Sequence, residues 1–150
     1  QNIIFKPKLI PIEIVKTYQR TGMHNSIFQR LIIKNIGRRA AREVRVLLTY
    51  KNAPKNFIPV PLAWTHWQKS SRDISRGEPA YIDVLQKERE TNENYDFCWP
   101  RENGKPYEKN LKEFNPDYGM LRLELFERDR KIGDFFLNFS KEKDLLEIKK

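Results

Sequence analysis

Hydrophobic and polar residues alternate along most of this chain with a period of two, the spacing that sends successive side chains to opposite faces of a β-strand. In "LIPIEIVKT", residues 9–17, Ile10, Ile12 and Ile14 share one side, and Pro11, Glu13 and Val15 the other. Pro11 has no amide proton to give to a ladder, so this strand is expected at a sheet edge. "SIFQRLIIKN", residues 26–35, offers Leu31 and Ile33 to one face and Arg30, Ile32 and Lys34 to the other. After the turn "IGRRAA", "REVRVLLTY" sets Val44, Val46, Leu48 and Tyr50 against Glu43, Arg45, Leu47 and Thr49. The prolines of "IPVPLAWTHW", residues 58–67, forbid a helix and keep the segment extended.

"QKSSRDISRGEP" is turn-rich with its tip at Arg76-Gly77, "AYIDVLQ" alternates again, and "ENYDFCWP" is a short aromatic strand closed by Pro100. In residues 101–117, Tyr107, Leu111 and Phe114 stand at i, i+4 and i+7, which predicts one short amphipathic helix. "MLRLELFERDRKIGDFFLNF", residues 120–139, reads as a hairpin with Leu121, Leu123 and Leu125 facing in beside Phe135, Leu137 and Phe139. The core is thus expected over about residues 8–139, and 140–150 as a charged tail, a frayed helical turn or a continuation beyond the domain. Seven or eight short strands without β-helix-β alternation predict a single all-β domain, an immunoglobulin-like antiparallel β-sandwich with at most one or two short helices. The Cys…Trp…Cys spacing of antibody domains is missing.

The length of 150 residues suits one domain, and 12% aromatic residues argue for a folded chain despite 33% charged ones. No run approaches the ~20 apolar residues of a membrane helix, and nothing resembles a signal peptide. The chain starts at Gln rather than Met, so it is expected to be an excised or processed piece, with any targeting or anchoring segment upstream. Cys98 is the only cysteine, which excludes an internal disulfide framework and favours a reducing compartment. Flanked by aromatics, it is expected to be a buried small hydrophobe.

Charge alters the picture more. Residues 1–60 hold 12 Lys and Arg against two acids, while residues 61–150 are nearly balanced, so the net +9 arises entirely in the first part. "KNIGRRAAREVRV", residues 34–46, is the densest stretch.

Several phrases, "RLIIKNIGRRAAREVRVLLTY", "VPLAWTHW", "ISRGEPAYIDVLQ" and "YGMLRLELFERDRKIGDFFLNF", together resemble a loosely defined group of uncharacterised bacterial and archaeal immunoglobulin-like domains. In these, a strand ending in V-x-N-x-G leads through A-x-x-V-x-V-x-L, and a P-G-E turn precedes a Y-x-D-V strand. The resemblance spans roughly residues 7–139 and departs from the pattern in having Arg76 where a proline is usual. It implies that Asn35 and Gly37 serve the turn, that Ala40 and Ala41 permit a tight crossover, and that the domain follows membrane-spanning helices. It supplies no catalytic residues.

Candidate chemistry is sparse. Trp64 and Trp67 point oppositely on a strand, so no aromatic cage forms around His66, and Trp64 is expected in the core. His24, His66 and Cys98 lack zinc-ligand spacing, and Asp73, Glu78 and Asp83 match no calcium loop. No phosphate-cradling glycine loop or local catalytic triad is present. The chain is therefore expected to be a non-enzyme without metal or small-molecule cofactor. The remaining candidate is a basic patch of Arg30, Lys34, Arg38, Arg39, Arg42 and Arg45. It is either a solvated outer face, a membrane-proximal surface beside an anionic leaflet, or a nucleic-acid grip. The last lacks interleaved aromatics and any known binding motif. The sequence thus points to an accessory or interaction module with a protein partner. An anionic membrane surface ranks next and nucleic acid after it, with the domain in the cytoplasm or at the inner face of a membrane.

Overall fold

The period-two pattern becomes eleven strands among the residues that the computed structural model describes, 5–65, 69–100 and 113–150. They are β1 (Leu9–Thr21), β2 (His24–Asn35), β3 (Ala41–Tyr50), β4 (Val60–Pro61), β5 (Ala63–Trp64), β6 (Ser71–Ile74), β7 (Pro79–Lys87), β8 (Asp96–Phe97), β9 (Leu121–Glu127), β10 (Arg130–Ser140) and β11 (Leu145–Ile148). Three of them are only two residues long: β4 and β5, within the extended segment "IPVPLAWTHW", and β8, within the predicted aromatic strand "ENYDFCWP".

The strands form two antiparallel sheets. One runs β1-β2-β7-β5, with β8 also on β7; the other runs β11-β10-β9-β3-β4, with β6 also on β3. The sheets stay separate rather than closing into a barrel, so the all-β, sandwich-type prediction agrees with the structure. Alternation explains the core: Leu31, Ile33, Ile82 and Val84 face inward from the first sheet, and Val46, Leu48, Leu123, Leu125 and Leu137 from the second, all buried. Trp64 is also interior, and its indole N–H donates to the Val44 carbonyl at 3.0 Å, tying one sheet to the other. Cys98 is buried, as its aromatic neighbours suggest.

Four expectations need correction or qualification. β1 is an edge strand, as Pro11 requires, but its register skips between Pro11 and Glu13. Ile12 is therefore the extra, exposed residue, and the expected common face of Ile10, Ile12 and Ile14 is broken: Ile10 stands opposite outward Lys34, and Ile14 opposite inward Leu31, a bulge of the kind that blunts exposed edges. Next, Tyr107 and Leu111 of the predicted helix lie outside the described residues. Phe114 is buried in non-helical backbone beside a bridge between Asp96 and Glu113. The one helical element described is a 3-10 turn, Pro116–Tyr118, capped by Asn115, whose side chain accepts the Asp117 amide. Third, the charged tail continues the second sheet, because β11 pairs with β10 and buries Leu146. Lastly, Arg30 lies on the outer side of its sheet but is buried. Its guanidinium pairs with Asp83 at 2.8 Å and stacks over Phe28.

Candidate functional site

The basic stretch begins where β2 leaves the first sheet. Asn35 is fully buried, and its side chain makes four bonds. Its Oδ1 accepts from the amides of Lys8 (3.2 Å) and Gly37 (3.0 Å), and its Nδ2 donates to the carbonyls of Ile74 (3.1 Å) and Arg39 (2.9 Å). An asparagine suits this position because its amide offers both donors and acceptors. Gly37 then passes so close to the entry segment that an added Cβ would stand 2.3 Å from the Lys6 carbonyl oxygen. Both residues serve the turn, as the sequence suggests.

The chain next enters β3 through a bulge at Arg42 and Glu43, where the register shifts between Ala41 and Val44 and Glu43 takes a left-handed φ of 48°. Two carboxylates hold this bulge. The Arg42 amide donates to Glu127 (2.7 Å) and the Glu43 amide to Asp73 (2.9 Å). Glu127, at the end of β9, is also gripped by both terminal nitrogens of Arg39, at 2.8 and 2.6 Å. That bidentate bond, ahead of the Arg42 amide and the nearby Arg130 charge, pulls the Glu127 carboxyl from 4.5 to about 2 although partial burial opposes it.

A carboxylate with a lowered pKa stabilises the fold above its ordinary value and loses that contribution as pH falls through the lowered one. Glu127→Gln is therefore expected to cost about 2 kcal/mol at neutral pH. The gap between the thermal melts of the two proteins should narrow as pH drops from 4.5 towards 2. A gap independent of pH would show that the charge contributes nothing to stability.

The six predicted patch residues thus do not form one surface. Arg30 is buried on the outer side of its sheet and paired with Asp83. Arg39 is committed to Glu127, Ala40 and Phe5, its Nε donating to the Phe5 carbonyl. Arg45 is exposed on β3 and donates to the Arg128 carbonyl at 3.1 Å. Lys34, Arg38 and Arg42 are exposed. The structure adds residues that local sequence pattern did not single out: Arg128, Asp129 and Arg130, at the tip of the β9–β10 hairpin, stand beside Arg42. The one signal for them is the charged run "ERDR" inside the last predicted hairpin.

Residues 5–8, 34–43, 72–78 and 127–130 meet at one end of the sandwich, joined by bonds such as Arg38 N–H to the Lys6 carbonyl and Gly77 N–H to the Asn35 carbonyl. These segments hold ten basic and five acidic side chains. Between the β3 bulge and the β9–β10 turn lies a cleft of about 590 Å³ lined by Arg39, Arg42, Glu127, Arg128, Asp129 and Arg130. His66 and Trp67 lie outside the described residues. Among those described, no group of three or more His, Cys, Asp or Glu side chains is placed to hold a metal, and no helix is long and apolar enough to cross a membrane. No protein-family model, curated protein or solved structure matches this chain.

Proposed function

We propose that this chain is an immunoglobulin-like β-sandwich acting as a non-catalytic interaction module, which engages its partner through the basic end face. The strand order supports the fold assignment, since β1, β2 and β7 oppose β10, β9 and β3, an arrangement found in immunoglobulin-type sandwiches. The functional part rests on one observation. Four separated chain segments converge on a face where basic side chains outnumber acidic ones two to one. On the outer face of the second sheet, Arg122 and Lys131 pair with Asp134 and Glu124.

A nucleic-acid role is the second reading. Favouring it, Arg45 and half-buried Phe126 are partners across β3 and β9, and so share the outer face of that sheet. The withdrawal of Arg30 and Arg39 into ion pairs weighs against it.

Arg39 must be kept in any test, because it holds Glu127. The informative variant reverses Arg38, Arg42, Arg128 and Arg130 to Glu. At physiological salt the wild-type chain is expected to bind at least one of anionic vesicles, nucleic acid or an acidic polypeptide, and the variant to bind about tenfold or more weakly. Association with none of the three, or equal association by the variant, would overturn the proposal.

A further inference from the structure

Building on the interaction-module reading, we infer that the cleft between the β3 bulge and the β9–β10 turn receives an acidic segment of a partner protein, its carboxylates held by Arg42, Arg128 and Arg130. The cleft's own pairing already separates these three from the rest. Arg39 and Glu127 satisfy one another, and the Arg42 amide takes a Glu127 oxygen. Arg42 keeps only a 3.4 Å contact with Asp73, and its side chain is 65% exposed. The exposed guanidiniums of Arg128 and Arg130 make no ion pair among the described residues. With Arg39 and Glu127 set against one another, the cleft keeps three further cations against Asp129, and Arg130 feels Glu127 only as a nearby charge.

Their backbone positions are set before any partner arrives. The Arg42 bulge is pinned by two carboxylates, and Arg128 sits at a left-handed φ of 55° in a two-residue hairpin turn. Such turns favour Gly or Asn, so an arginine there is held against its backbone preference by the flanking ladder. Donors placed in advance lower the ordering cost of binding, and a guanidinium fork matches a carboxylate in two parallel bonds.

The shape selects among polyanions. A cleft of about 590 Å³ is large enough for a few side chains of an entering segment. No apolar side chain lines it to enter a bilayer, and no aromatic one to stack on a base.

The test is fluorescence anisotropy of a labelled peptide carrying a run of glutamates in a Gly/Ser frame, with its Glu→Gln counterpart, titrated with the full chain at physiological salt. The glutamate peptide is expected to bind and the glutamine peptide not. The triple variant Arg42→Gln/Arg128→Gln/Arg130→Gln should bind about tenfold or more weakly. Arg38→Gln, on the same face but outside the cleft lining, should alter binding less than about twofold. Melting curves confirm that the variants fold. An unbound glutamate peptide, an unaffected triple variant, or an equal loss with Arg38→Gln each overturns the inference. Binding of vesicles or nucleic acid through the same arginines, with no peptide binding, would sink the acidic-segment assignment while leaving the interaction module standing. Failure of every polyanion would sink both.

Discussion

Asn35→Ala is expected to destabilise this protein by about 3–5 kcal/mol, a loss of roughly 10 °C in melting temperature for a chain of this size. The side chain occupies no solvent-exposed surface, yet it closes bonds to four separate backbone groups. Alanine leaves the Gly37 amide and the Ile74 carbonyl without a partner in buried surroundings, and the Lys8 amide and the Arg39 carbonyl without one in partly buried surroundings. Each buried orphan costs about 1–3 kcal/mol, discounted where solvent reaches it. Those four groups also belong to different elements: the entry to β1, the β2–β3 turn and the end of β6. Asn35→Asp provides the sharper comparison. It retains both acceptor bonds but turns an oxygen towards the two carbonyls, and it buries a charge without a cation. It should therefore be no more stable than the alanine variant at neutral pH. Thermal or denaturant melts of the three proteins measure this. A loss below about 1 kcal/mol for both variants would mean that the backbone repairs itself around the missing amide.

Legibility in the sequence followed the distance over which each feature is decided. Alternation is local, so the inward faces of β2, β3, β9 and β10 could be assigned residue by residue. Pro11 likewise announced an edge strand through a property of its own backbone. Ile12 escaped because a bulge shifts every later residue by one place, and nothing in "LIPIEIVKT" marks where the extra residue sits. Alternation puts Arg30 on the correct side of its sheet but says nothing of its burial. What buries it, Asp83 on β7, is 53 positions away. The candidate site suffered most, since Glu127 lies 88 positions beyond Arg39 and 85 beyond Arg42. Pairing of β3 with β9 brings them together, and local periodicity carries no information about that partnership. A run of basic residues is visible in sequence; which of them are already neutralised is settled only by the fold.

A chain ending at Ser140 is expected to lose about 4–6 kcal/mol relative to the full chain, a large share of the ~5–15 kcal/mol that holds a domain together. The last ten residues are charged enough to resemble a solvated tail, but two of their apolar side chains, two positions apart on β11, face the core together. Leu146 is buried opposite Phe139, and Ile148 packs against the core opposite Leu137. Burying one leucine side chain contributes about 1.5–3 kcal/mol. The turn before β11 adds a polar clasp. Gln29 is fully buried, accepting the Leu146 amide at 2.7 Å and donating to the Asp144 carbonyl at 3.2 Å. The Asp144 carboxylate in turn receives Lys16 and the Tyr95 hydroxyl, each at 2.9 Å. Lys16 belongs to β1 and Gln29 to β2, so this clasp joins the edge of the second sheet to the edge of the first. Without it, β10 becomes an exposed edge, and the interior beside Gln29 opens to water. A chain ending at Ile148 keeps every one of these contacts and should melt within a degree or two of the full protein. Comparing the three melts isolates β11. If the chain ending at Ser140 melted together with the other two, the strand would be decoration on a sandwich already complete, and the clasp around Asp144 would contribute nothing to stability.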